Sequence, residues 1–133
     1  IPESLSYSQI LLKSIPGEIY RFISEMPYYY ELDDYILVHA GLNFAADEIF
    51  MDTNSMLWIR HSHYDGEKVN HKMIIHGHTP VPLNVIIKNL KKPMINSLNI
   101  DGGCVYSDMP GYGHLVAMDL DTRELFVQEN VDI

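Results

Sequence analysis

Three short strand-like runs set the terms for this 133-residue chain: "YILVHAGL" (35–42), "KMIIHGHTP" (72–80) and "INSLNIDGGCVY" (95–106), the last with a diglycine turn. Each climbs through aliphatic residues and stops at a polar group followed by glycine. In the first two the apolar character is continuous rather than alternating, which suits strands buried on both faces. The fold class this predicts is α/β, a mixed sheet with helices on one face. "NVIIK" (84–88) reads as a further strand, and "GHLVAMDLDTRELFVQEN" (113–130) as a hairpin turning at Asp121 and Thr122. Upstream, "SYSQILLKSIPGEIYRFISEMPYYYEL" (6–32) reads as helical in two pieces, the second opened by Pro16. Its stripe of Ile19, Phe22, Ile23 and Met26 is expected to pack on the sheet, with Tyr28, Tyr29 and Tyr30 covering the edge of that packing. "MLWIRHSHYDGEKVNHK" (56–72) begins as a helical turn and gives way to polar loop.

Charge narrows the partners. Nine Lys and Arg against 18 Asp and Glu leave a net charge of -9, so there is no basic face for nucleic acid or an anionic membrane. A phosphorylated substrate remains open, because a bound divalent cation reverses the local field. The single cysteine, Cys104, permits no internal disulfide, and a reducing, cytoplasmic setting is expected. The length suits one domain. A start at Ile1, in polar and unpatterned sequence without a leader, is expected of a piece of a longer protein.

His39, His76, His78 and Asp101 stand at the ends of the predicted strands, and in layered α/β sheets ligands gather at the carboxyl ends of strands. A lone strand-end histidine is ordinarily a structural side chain. Two strand ends that both carry histidine and glycine point to convergence on one metal ion or phosphate, for which neutral imidazole is a common ligand. Within His76-Gly77-His78, a continuing strand would turn both rings to one face. A turn at Gly77 would separate them and leave His76 to orient its neighbour. Arg60 is either a guanidinium fork for a phosphoryl group or a surface side chain lying over Trp58. His61, His63, His71 and His114 are expected to be solvent-exposed.

Taken in order, "ILVHAGL", "MLWIR", "IIHGHTP" and "NIDGGCVY", followed by "HLVAMDL", resemble the blocks of calcineurin-like metallophosphoesterases. The bacterial and bacteriophage-lambda type serine/threonine protein phosphatases look closest, with diadenosine tetraphosphate hydrolases nearby. The resemblance runs over residues 35 to 120 or so, and the family's three upstream blocks, rich in aspartate and histidine, have no counterpart. It therefore implies that residues 1–133 are the carboxyl-terminal portion of one four-layer α/β/β/α metallophosphoesterase domain. It implies two divalent ions, manganese, iron or zinc, with His39 and His78 as ligands of the same, second ion. Arg60 would bind the phosphate. His76 has no ligand role and would stand behind the ligands, and Tyr106 would lie on a loop at the edge of the active site. The implied reaction is phosphoester hydrolysis by a metal-activated bridging water, on a phosphoprotein or a nucleotide. A diadenosine polyphosphate hydrolase and a non-catalytic binding module on the same fold are the alternatives.

Overall fold

In the computed structural model, which describes residues 14–132, the apolar runs become the middle of a four-stranded sheet ordered β1-β2-β3-β4. The strands are β1 Tyr29–Glu31, β2 Tyr35–Val38, β3 Met73–His76 and β4 Ser97–Asn99. Strands β2, β3 and β4 are parallel, with Ile36 opposite Ile74 and Ile75 opposite Leu98, while β1 runs antiparallel to β2. The mixed sheet expected from the sequence is therefore present. Strands β5 His114–Met118 and β6 Leu125–Glu129 form the predicted hairpin as a separate two-stranded sheet.

Side chains alternate across a strand, so the two faces of β2 and β3 bury different residues. Ile36, Val38 and Ile74 pack on one side with Leu42, Ile49, Met56 and Val69. Tyr35, Met73 and Ile75 pack on the other with Ile86, Leu98 and Val116. Met56 comes from helix α2 (Thr53–Trp58) and Ile86 from helix α3 (Leu83–Leu90). Helices thus cover both faces, not one as the sequence suggested, because parallel strands that are apolar on both sides need cover on both.

Residues 84–88 are the second correction, since they lie in α3 and not in a strand. Parallel β3 and β4 cannot be joined by a tight turn; the connection has to cross over the sheet, and a helix does this while satisfying its own backbone. Within α3, Leu83, Ile86 and Leu90 fall on the face that packs against the sheet, at three- and four-residue spacing. Tertiary geometry outweighs the β-branched propensity of Val85, Ile86 and Ile87 here.

The amino-terminal helix departs from expectation in its packing. Its first predicted piece falls largely on residues 1–13, outside the described residues. The second is α1 (Gly17–Ser24), with Pro16 capping it, and the chain beyond Pro27 turns into β1 instead of continuing as helix. Ile19, Phe22, Ile23 and Met26 remain 47, 64, 57 and 51% exposed, so the stripe is not packed on the sheet. Of the tyrosine run only Tyr29 is half-buried, its ring 4.9 Å from that of Phe50. Among the described residues no helix is long and apolar enough to cross a membrane.

Candidate functional site

The carboxyl ends of β2, β3 and β4 are held side by side by backbone hydrogen bonds that extend past the last paired residues. Gly77 N–H donates to the His39 carbonyl at 2.8 Å, and Ile100 N–H donates to the His76 carbonyl at 2.8 Å. Gly77 is needed for close approach, since a Cβ there would sit 3.2 Å from Asp101 Cβ. The three strand-end segments singled out in the sequence therefore do lie together.

Two of the histidines meet. His39 Nε2 lies 3.1 Å from His78 Nδ1, with the rings edge to face at 5.0 Å between centroids. His78 reaches this position through an uncommon backbone. It has φ +69°, and Thr79 N–H donates to the Gly77 carbonyl at 2.8 Å, closing a γ-turn with His78 at its centre. The left-handed γ-turn is rare and strained for a residue with a side chain, and strain of this kind collects at functional sites. Trp58, at the end of α2, sets its ring edge-on to His78 at 5.7 Å. The pair opens onto a groove of about 940 Å³ lined by Ile23, Met26, Tyr28, Leu37, Met118 and Asp101 among others.

His76 parts from His78. In β3 it continues the side of Ile74, opposite to that of Ile75, so its ring belongs to the other face of the sheet. There it lines a second cavity, about 250 Å³, together with Arg60, His61, Ser62, Phe44 and Tyr64, and as a residue it also borders the groove of His39 and His78, so the two cavities adjoin at this position. Arg60 accordingly lies in the cavity of His76 and not in the groove of His39 and His78. It is exposed, and among the described residues it has no ion pair. Nδ1 of His76 is buried without a hydrogen-bond partner, as are Thr79 Oγ1 and His114 Nδ1.

Burial holds the His76 imidazole below its ordinary value of 6.5, against an opposing contribution from hydrogen bonding to the backbone of Gly77 and Ala40. In the unfolded chain His76 therefore takes up a proton at a higher pH than in the fold. Its contribution is at full strength above about pH 6.5 and is lost as pH falls through that value toward the lowered one, below which it changes no further. His76→Gln should reduce the acid loss of stability relative to wild type, measured as urea midpoints at about pH 7.5 and about pH 5.5. An identical pH dependence in the variant would contradict the burial of a neutral His76.

The remaining candidates are placed as follows. Tyr106 lies past the diglycine turn, half exposed, with its ring 6.4 Å from that of Tyr112. His61, His63 and His71 are exposed as expected, but His114 is only partly so, because its backbone and Cβ lie against Gly102. Sequence reasoning missed Trp58 as a neighbour of His78 and missed Asn99 altogether. Asn99 side-chain Oδ1 accepts from Asp101 N–H at 2.8 Å, and its Nδ2 donates to the Thr79 carbonyl at 2.7 Å. The available signal was an Asn two residues before an Asp-Gly, a spacing at which asparagine folds back on the backbone. Among the described residues no three His, Cys, Asp or Glu side chains come together as a metal-binding group. Comparison with family models, curated proteins and solved structures finds no match for the chain.

Proposed function

We propose that this chain carries part of the active site of a metal-dependent phosphoester hydrolase, in which His39 and His78 are two ligands of one divalent ion. The observation that carries the reading is the 3.1 Å between His39 Nε2 and His78 Nδ1. Two metal–nitrogen bonds of about 2.0–2.1 Å, meeting at roughly 90–110°, put their nitrogens about 2.9–3.4 Å apart. A hydrogen bond between imidazoles has a similar length, but it gives no reason for a strained turn at His78, whereas a ligand that must be aimed does. Two donors fall short of the three protein ligands of a usual catalytic zinc site. The others are assigned to water and to protein groups beyond this set, with Asp101 lining the same groove.

When bound, such an ion supplies a water of lowered pKa as nucleophile and offsets charge on the phosphoryl oxygens. The chain's own part is to orient two neutral imidazoles, neither of which acts as a base. Arg60, free of a carboxylate partner among the described residues, offers a planar fork for phosphoryl oxygens from the neighbouring cavity. We assign the fold to one portion of a four-layer α/β/β/α sandwich on the order of the sequence blocks, and the setting to the cytoplasm on the single cysteine. The favoured substrate is a phosphoprotein, with a diadenosine polyphosphate as the alternative. One observation favours a non-catalytic binding module instead: no third ligating side chain joins the pair among the described residues.

The test uses residues 1–133 with Mn²⁺ and p-nitrophenyl phosphate. Calorimetric titration should show the ion binding, and turnover should stay at background because the ligand set is short. Enzyme-like turnover would overturn the assignment of a partial site. Absence of any metal binding would overturn the ligand pair and favour the binding module.

A further inference from the structure

The γ-turn at His78 raises the question of what holds it, since the Gly-His-Thr segment does not favour it on its own. Its near side is fixed by the Gly77 N–H bond to the His39 carbonyl at 2.8 Å. Its far side is fixed by one side chain. Asn99, the last residue of β4, is partly buried, and its carboxamide spans two loops: Nδ2 donates to the Thr79 carbonyl at 2.7 Å while Oδ1 accepts from Asp101 N–H at 2.8 Å. The two neighbours determine which end of the amide faces which way, because a carbonyl can only accept and an N–H can only donate. The Asp101 side repeats the pattern, its Oδ1 accepting from Gly103 N–H at 2.9 Å, and Val81 N–H donates back to the Asp101 carbonyl at 2.9 Å. The loop after β4 is thereby made rigid, and it presents the Asn99 amide to the one carbonyl that follows His78.

We propose that Asn99 is a positioning residue for His78: its amide anchors the Thr79 carbonyl, which keeps the γ-turn closed and the His78 Nδ1 at ligand spacing from His39 Nε2. This rests on the reading of the two histidines as metal ligands. Release of Thr79 lets residue 78 relax to φ below zero, which swings the imidazole out of register with His39. Losses of about 10–100-fold in metal affinity are typical when the groups that orient a ligand are removed, and a change of that size is expected here. No contact of Asn99 with the ion is required.

The experiment compares Asn99→Asp with wild type, alone and in a His78→Gly background, by Zn²⁺ titration and by urea denaturation of residues 1–133. Aspartate keeps an acceptor for Asp101 N–H and presents an oxygen, with no donor, to the Thr79 carbonyl. Zinc affinity of the single variant should fall about 10–100-fold. Its loss of stability should be larger in the His78→Gly background: in wild type the release of backbone strain at His78 offsets part of the lost bond, and glycine, at ease in the left-handed region, has no such strain to release. A purely structural tie between loops would give the same stability loss in both backgrounds, and that result would overturn the proposal. Should Asn99→Asp fail to fold, Asn99→Ser, which retains a turn-forming acceptor without the charge, gives the same comparison. If wild type binds no zinc, the ligand reading fails, while the coupling between positions 99 and 78 still decides the positioning role.

Discussion

Replacement of His78 by alanine should remove divalent-metal binding from this chain, with a loss larger than the roughly 10–100-fold that follows from disturbing groups behind a ligand. The fold itself should survive. His78 lies beyond the last residue of β3, and its side chain belongs to neither core cluster. A second effect separates an aiming role from a structural one. Both His78→Ala and His78→Gly delete the imidazole, but alanine must still adopt the φ of +69° that His78 shows. A left-handed backbone costs a residue with a Cβ about 1–2 kcal/mol, and glycine is spared that cost. His78→Gly should therefore be the more stable of the two by about 1 kcal/mol, the reverse of the order at ordinary positions. Calorimetric metal titration and thermal unfolding of the two variants check both statements. Retained metal affinity in either variant, or a glycine variant less stable than the alanine one, would count against the role given to this residue.

Ile36→Ala should be the most damaging change in the sheet. Ile36 is completely buried in the middle of β2, packed with Met56 of α2, Leu42, Ile49 and Ile74. Truncation of a buried isoleucine to alanine costs about 2–5 kcal/mol, through lost burial and the cavity left behind. That is a large share of the roughly 5–15 kcal/mol that holds a domain together. Phe22→Ala, by contrast, removes a larger side chain that is 64% exposed on α1, and should fall within about 0.5 kcal/mol. Urea midpoints for the two variants settle the contrast. A loss at Phe22 comparable to that at Ile36 would mean that the apolar face of α1 is covered in solution, contrary to its exposure here.

The sheet's centre was legible because β2 and β3 are apolar on both faces and stop sharply at histidine and glycine. The hairpin was legible from its alternation and its turn. Residues 84–88 misled because β-branched residues favour strands locally, and the need for a crossover between β3 and β4 is not visible until their parallel pairing is known. The periodicity of Ile19, Phe22, Ile23 and Met26 gave a helix with an apolar side; it could not say what, if anything, packs against that side. At the site, the meeting of His39 and His78 followed from reading strand ends as a shared edge, and the parting of His76 followed from the alternative of a turn at Gly77. The form of that turn was hidden. Glycine is the residue expected to carry a positive φ, yet here it is His78 that does so, while Gly77 serves close approach to Asp101. The placement of Arg60 was equally hidden, since residues 59–66 have no periodicity to fix a face.

The central claim is that one divalent ion binds between His39 Nε2 and His78 Nδ1. Long-range ¹H–¹⁵N correlation spectra of the histidine rings, recorded on residues 1–133 during Zn²⁺ titration, address those atoms one by one. Zinc should move His39 Nε2 and His78 Nδ1 together to metal-bound shifts, leave their other ring nitrogens protonated, and leave His61, His63 and His71 unchanged. A response at the exposed histidines with none at this pair, or ligation through His76 Nδ1, would contradict the account.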